Sequence, residues 1–403
     1  MRGPAGAVAA TLKRLGWQAR SAVHWETPHG LIDLDVHSPA TVALLADRST
    51  QSMLWRSLAE TEVCPELTEG VFLKPITDLV CGRSSTLSRS ERNALRSVVC
   101  NGQWPQERLH RASLVSTPNC QLCGAAVGDL SHRHWNCSVT GAERDAVVSA
   151  GFQRVARSFC AAGGWQKLLW SRLLMPDPLF HYPPPLLECE PVWWRIPPDG
   201  VFTGKVYLDG SGLRGTCARR RRCGFAVVMI DEVDGGILGA MYGALPGPVQ
   251  SVAAAELWAL RMLLRHCMAP LDVASDCQFV VDGVTAGPAA TTMPSQLHAG
   301  IWRSIWRCID DLGRNVVTVR KVLAHSSHAD VAAGRISAVD RHGNAHADTF
   351  AKLGAAMHPH DAAVHQRANR ADKVLTAGGQ CIGRVGSLLG TSFPGDSAPT
   401  SRA

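Results

Sequence analysis

Between residues 202 and 357, strand-like and helix-like stretches follow one another in an order that few architectures accommodate. Lys205–Asp209, Cys223–Ile230 and Ile237–Leu245 read as three successive strands with no helical stretch between them. Three strands linked that tightly form an antiparallel meander. Residues 251–267 then carry helical periodicity, Leu271–Ser275 is strand-like, 297–312 is helical, and Val316–Leu323 is a Val-rich strand. A last helix is expected over 344–357, with Asn344 as its cap. Strands that alternate with helices pair in parallel through helical crossovers. The β-β-β-α-β-α-β-α order therefore predicts an α/β fold, with a mixed five-stranded sheet and flanking helices.

Four acids punctuate this pattern. Val206 and Leu208 fall on one face of their strand, so Tyr207 and Asp209 fall on the other. Gly210 follows Asp209 directly and ends or bends the strand there. Glu256 shares a helix face with Val252, Ala259, Leu260 and Leu263, opposite Arg261 and Arg265. A carboxylate on an apolar face costs several kcal/mol unless it is paired or bound to a metal. Asp276 lies just past a buried strand, and Asp348 one turn into the final helix. In an α/β sheet, ligands collect where strand ends meet crossovers. Carboxylates gathered there repel one another and need a cation. An all-oxygen ligand set favours Mg²⁺ or Mn²⁺ over zinc. Two such ions roughly 4 Å apart activate water and stabilise a leaving oxygen. Taken singly, each acid has an ordinary explanation as a turn residue, a helix cap or a solvated side chain. Their order is what points to a site.

The order also carries a family resemblance. It rests on Tyr207-Leu208-Asp209-Gly210-Ser211, Ala255-Glu256-Leu257-Trp258-Ala259-Leu260, Ser275-Asp276-Cys277-Gln278-Phe279-Val280, Gly343-Asn344-Ala345-His346-Ala347-Asp348, and His325 after Val322-Leu323-Ala324. The segment resembles type 1 ribonuclease H over about 155 of the 403 residues. That resemblance implies metal-dependent hydrolysis of the RNA strand of an RNA–DNA hybrid. It implies that Asp209, Glu256, Asp276 and Asp348 hold two Mg²⁺ or Mn²⁺ ions. It implies that His325, on a mobile loop, assists proton transfer or product release. Two features depart from the compact bacterial pattern. The 22 residues between His325 and Asp348 include His328, Asp330, Asp340 and His342 as competing ligands. Asp282, close to Asp276, reads as structural. Arg219, Arg220, Arg221 and Arg222 fall in the first hairpin beside Asp209. They read equally as a contact to the hybrid backbone and as a solvated turn.

A second cluster lies upstream. Cys120-Gln121-Leu122-Cys123-Gly124 precedes His132-Arg133-His134-Trp135-Asn136-Cys137. The CxxC turn aims two thiolates at one point, and a His and a Cys close a tetrahedron for structural Zn²⁺. His132 is preferred because its four-residue spacing to Cys137 suits a helical turn, with His134 as competitor. Followed by a Pro-rich stretch and a type 1 ribonuclease H segment, this knuckle resembles the C-terminal end of non-LTR retrotransposon reverse transcriptase polyproteins. The nearest thing to a polymerase hairpin, Cys308-Ile309-Asp310-Asp311, lies in a helical stretch and is rejected. The chain is therefore expected to be a fragment or a separately encoded remnant.

The remaining organisation is read from composition. Residues 1–85 form an N-terminal module of unknown role, with a helix ended by Gly16, a strand over Leu31–Val36 and a helix over 39–61. Residues 86–178 are mostly helical and include the knuckle at 120–137. Residues 179–200 read as a Pro-rich linker whose Trp193 and Trp194 dock on a neighbouring surface. Residues 201–358 hold the ribonuclease H-like segment, and 359–403 are expected to be a disordered tail. A hydrophobic content of 46% with 19% charged residues fits globular domains. The net charge of +7 leans mildly toward polyanions, so nucleic acid is the expected partner, and no protein partner is indicated. No apolar run reaches about 18 residues, so no membrane span is expected. No apolar secretory core opens the chain. The 14 cysteines then read as mostly reduced thiols of an intracellular protein.

Overall fold

The computed structural model describes residues 3–388 except Val36, Ser38, Ala161 and Thr216. Two units emerge, Met1–Thr50 with Tyr182–Asp361, and Gln51–His181 with Ala362–Ala403. This division differs from the expected one, because residues 1–50 fall with the sheet and the C-terminal stretch falls with the helical region. Among the described residues, no helix is long and apolar enough to cross a membrane.

The first unit is built on a six-stranded mixed sheet. Its strands are β1 (Val192–Arg195), β2 (Phe202–Leu213), β3 (Arg222–Ile230), β4 (Ile237–Ala244), β5 (Cys267–Ser275) and β6 (Val317–Lys321). They lie in the order β1-β4-β3-β2-β5-β6. The meander β2-β3-β4 is antiparallel, and β5 and β6 join β2 in parallel. The sixth strand, β1, corrects the expectation of five. It lies inside the stretch read as a linker. Its residues Val192-Trp193-Trp194-Arg195 have the β-branched and aromatic character that a pleated edge favours, a signal masked by the prolines around it. Trp193 stacks on Phe202 at 5.6 Å, and Trp194 packs against Phe350 at 5.4 Å.

Alternation along β2 sorts the core into two layers. Val206 and Leu208 pack with helices α1 (Val252–Arg265) and α3 (Ala299–Leu312), the second of which follows α2 (Gln278–Ala286). Tyr207 faces the other layer, with Phe350 and Ala351 of helix α4 (Ala338–Ala356). All nine residues of β3 are buried, as expected for a central strand covered on both faces. Helix α4 lies so close that a Cβ on Gly224 would sit 2.0 Å from Ala355 N. Only glycine permits that approach. Helix α4 starts six residues earlier than predicted, capped by Ser337 Oγ, which accepts from Asp340 N at 2.9 Å. Asn344 is therefore not a cap but an interior residue. In helix α1, Val252 is 39% exposed and does not share the inward face with Glu256.

Ahead of this sheet, helix Pro4–Leu15 ends at Gly16 in the left-handed region (φ 71°). A three-stranded antiparallel sheet follows over residues 18–33, then helix Pro39–Thr61. The strand expected over Leu31–Val36 is Gly30–Asp33, and Val36 lies outside the described residues.

The second unit is helical. Helix Arg89–Val99 opens with a capping box between Ser88 and Glu91. Trp135, fully buried, packs edge-on against Trp170 at 5.6 Å and donates to its carbonyl at 2.6 Å. The expected disordered tail is corrected, because Ala362–Ser387 is a 26-residue helix. Val364, Ala368, Ala371, Leu375, Gly378, Ile382 and Val385 form its buried stripe. That spacing of three and four residues is a helical face, and the small side chains conceal it. Residues 389–403 of the expected tail lie outside the described residues.

Candidate active site

The register of β2 and β5 sets the site. Leu208 pairs with Ser275 at the end of the parallel ladder. One residue further on come Asp209, still within β2, and Asp276, in the bend just after β5. Helix α1 delivers Glu256 to the same point. Ser251 caps that helix by accepting from Ala254 N at 3.1 Å. A Cβ on Gly210 would lie 2.4 Å from Glu256 N and 2.9 Å from its Cγ. The glycine after Asp209 thus lets the helix close on the strand.

One carboxylate oxygen each from Asp209, Glu256 and Asp276 lies within 4.8 Å of the others. Asp209 is 6% exposed and Glu256 2%. Asp209 Oδ2 and Glu256 Oε2 are buried without a hydrogen-bond partner among the described residues. Burial, then the charges of Asp276 and Asp348, push the Asp209 carboxyl up to about 8. Burial, then Asp209 and Asp276, raise Glu256 well above the usual carboxylate range. Orphaned buried oxygens among like charges are what a divalent cation relieves. The donor set fits a hard ion.

Asp348 stands outside that group. Its Oδ2 accepts from Lys352 Nζ at 2.6 Å, and its charge raises the Asp209 pKa. His325 is exposed in the turn after β6, with a left-handed backbone at φ 45°. The competing ligands are engaged elsewhere. Asp330 accepts from Ser327 and pairs with Arg335. Asp340 accepts from Tyr207 Oη at 2.9 Å and pairs with Arg320. Burial opposes the Arg320 charge, but its bonds to Asp340 and Asp272 outweigh that and raise its pKa. His328 Nε2 lies 3.1 Å from Arg341 Nη2, and His342 is bonded to His346. Asp282 accepts from Gln278 at 2.7 Å, a local helical role.

Two residues here escaped the sequence reading. Asn344 Nδ2 donates to Asp276 Oδ2 at 3.1 Å and so ties the Asp276 carboxylate to helix α4. Lys321 Nζ donates to the Asp276 carbonyl. The signal for Asn344 was its place four residues before Asp348, on one helix face. The arginine run is also corrected in part. Arg222 is 1% exposed, donates to the carbonyls of Arg219, Arg221 and Pro183, and lies over the Tyr182 ring at 4.8 Å. It is a buried structural side chain and is closed to phosphate. Arg219 is exposed, and Arg220 and Arg221 are half-buried.

The Cys/His cluster closes by a different route. Cys120, Cys123, His132 and Cys137 bring one ligand atom each within 4.8 Å of the others. Cys120 and Cys137 sulfurs are 3.9 Å apart, and Cys123 Sγ is 3.3 Å from His132 Nε2. A tetrahedral zinc spaces sulfur and nitrogen ligands about 3.6–3.8 Å apart, given bonds of about 2.3 and 2.0 Å. Gly124, at φ 66°, turns the chain after the CxxC. A single wide helical turn over His132–Asn136, with Cys137 N donating to His132 O at 2.8 Å, brings His132 and Cys137 to one side. Backbone donation from Ala125, the largest influence, lowers the Cys123 thiol pKa. His134, the competitor, is fully buried outside the cluster, and burial followed by the Arg133 charge pushes it down to about 3.

The RNase H family model matches residues 203–356, the segment that holds all four acids. Among solved structures, the chain is similar to the PFV RNase H domain, at 18% identity over 38% of this chain and 93% of that one (TM-score 0.30). It is similar to LC9-RNase H1, a type 1 RNase H with the type 2 active-site motif, at 17% identity over 44% and 83% (TM-score 0.30). It is similar also to RNase H1 from the halophilic archaeon Halobacterium salinarum, at 18% identity over 38% and 97% (TM-score 0.26). No curated protein sequence matches the chain.

Proposed function

We propose that residues 201–358 form a metal-dependent endonuclease, a type 1 ribonuclease H of retroelement origin that hydrolyses the RNA strand of RNA–DNA hybrids. The observation that carries this reading is the convergence of Asp209, Glu256 and Asp276, with unpartnered buried oxygens, inside the segment matched by the RNase H family model. Asp209, Glu256, Asp276 and Asp348 would hold two Mg²⁺ or Mn²⁺ ions. When bound, such ions supply an activated water and stabilise the departing oxygen of an in-line displacement.

The chain's own residues do the rest. Asn344 fixes the orientation of the Asp276 carboxylate. Lys352 Nζ donates to Asp348 Oδ2 and so keeps a positive charge beside that carboxylate. His325, exposed on its turn, would accept or give up a proton at its ring nitrogen. Arg219, with Arg220 and Arg221, would contact hybrid phosphates, which position the duplex without reading its sequence. Cys120, Cys123, His132 and Cys137 would hold a structural Zn²⁺ that stabilises the helical unit.

One observation favours a second reading. Asp348 is paired with Lys352 and lies outside the group of three. A domain with one ligand withdrawn would grip hybrids without cutting them. A labelled hybrid incubated with and without Mg²⁺, with wild type beside Asp276→Asn, separates the two. Mg²⁺-dependent cleavage lost in Asp276→Asn supports the nuclease. Wild type that retards the hybrid in a gel but leaves it uncut supports the binding module.

A further inference from the structure

Helix α4 carries a pair of ligating side chains that the carboxylate site does not use. His342 and His346 stand one helical turn apart. Their Nε2 atoms are 2.8 Å from each other, with ring centroids 4.4 Å apart and planes at 77°. The buried positions of α4 include Gly343, Asn344, Ala347, Phe350 and Ala351. His342 is exposed and His346 half-buried, so the pair faces away from that core.

Two imidazoles joined this way share one proton between two nitrogen lone pairs. A metal bound to both nitrogens at about 2.0–2.1 Å spaces them about 2.9–3.4 Å apart, for bond angles between square and tetrahedral. The observed 2.8 Å lies within a few tenths of an ångström of that bite. A dication can therefore take the place of the shared proton, which passes to a ring Nδ1 or to solvent so that both Nε2 lone pairs are free. The helix fixes the two backbone positions and the ring-to-ring bond already brings the side chains together, which lowers the ordering entropy that opposes binding.

We propose that His342 and His346 form a bidentate surface site for a borderline transition-metal dication of the Zn²⁺, Ni²⁺, Cu²⁺ class. Imidazole suits these ions, whereas Mg²⁺ prefers oxygen. The site is thus chemically distinct from the carboxylate cluster. An ion there ties together the turn that contains Asn344 and directly precedes Asp348. The inference does not depend on the nuclease reading.

The test uses the full chain at pH 8, preloaded with one equivalent of Zn²⁺ to fill the Cys/His cluster and kept in excess Mg²⁺. Ni²⁺ is titrated calorimetrically into wild type, His342→Gln and His346→Gln, with circular dichroism confirming helix content. The second ligand of a chelate binds intramolecularly. Each substitution should therefore weaken the tightest Ni²⁺ equivalent by about 10²-fold or more. Ni²⁺ should also raise the Tm of wild type but not of either variant. Equal Ni²⁺ affinity in all three proteins, or no Ni²⁺ site in wild type, overturns the proposal and leaves only an imidazole–imidazole hydrogen bond.

Discussion

The two ligand clusters are assembled in opposite ways. The Cys/His cluster draws its four atoms from 18 consecutive residues, Cys120 to Cys137. Besides the four residues themselves, this stretch is held by short-range bonds, among them Cys120 N to Ala126 O at 2.7 Å and His132 N to Asp129 Oδ1 at 2.6 Å, by a wide turn and by the Trp135 anchor. The carboxylate cluster draws Asp209, Glu256 and Asp276 from the interior of one strand, a helix and the turn after a second strand, spread over 68 residues. Here a sheet with a full core on each face fixes the ligands first. In the first case an ion would complete the fold, and in the second the fold prepares a place for an ion. Ligand loss should therefore have different consequences in the two units.

The largest expected effect tests the first half of that contrast. Structural zinc sites contribute on the order of 10 kcal/mol to folding. Cys120→Ser, or chelation, should melt the stretch around residues 100–140 and leave the sheet unit folded. Hydrogen exchange with metal analysis reads both outcomes at once. Zinc-free protein with an unchanged 100–140 protection pattern would break the comparison. Next comes Asp209→Asn, which should abolish cleavage while keeping the fold. The loss should exceed the about 10–100-fold that removing a supporting partner costs. Metal-free Asp209→Asn should also be more stable than wild type at pH 8. Asp209 has its pKa raised to about 8 in the folded state against about 3.9 unfolded. Its contribution to stability is therefore fully present below about pH 4 and is lost as pH rises through 8. The gain from Asn should vanish near pH 4. A pH-independent difference in Tm would show that repulsion is not what the substitution relieves.

The same contrast explains what the amino-acid sequence disclosed. The Cys/His cluster is local, so spacing alone brought its residues into view, and the structure groups His132 rather than His134 with the three cysteines. The strand and helix order of the sheet unit was also legible, because alternation in β2 and the apolar run of β3 leave few options. Three features were hidden. Strand β1 sits among prolines. Helix Ala362–Ser387 buries alanine and glycine, residues whose small side chains weaken a periodic signal. Asn344 reads as a cap until Ser337 is seen to start the helix. Its contact with Asp276 spans 68 residues, and only the register of α4 over the sheet creates it. Asn344→Ala should lower cleavage by about 10–100-fold with a smaller effect on Tm. Cleavage equal to wild type would show that Asp276 is held without it.

Two buried histidines give the smallest effect and the finest test of the comparison. In the sheet unit, His358 Nδ1 accepts from Leu186 N at 3.1 Å, and Nε2 donates to Cys223 O at 2.9 Å. In the helical unit, neither ring nitrogen of His134 has a hydrogen-bond partner among the described residues. Burial lowers the pKa of both, to about 4 for His358 and about 3 for His134. Both are therefore neutral when folded, and their contributions are present above about pH 6.5 and lost as pH falls toward those values. The satisfied ring should be the costly one to remove. His358→Phe strands a buried N–H and a carbonyl and should cost about 1–3 kcal/mol. His134→Phe removes a desolvated group that makes no bond, and should be near neutral or stabilising. Urea unfolding of each unit, followed by local probes at pH 7.5, measures both. If His134→Phe proves the more destabilising, the imidazole has a bonding role in the helical unit, and that unit is less dependent on its four ligands than the contrast requires.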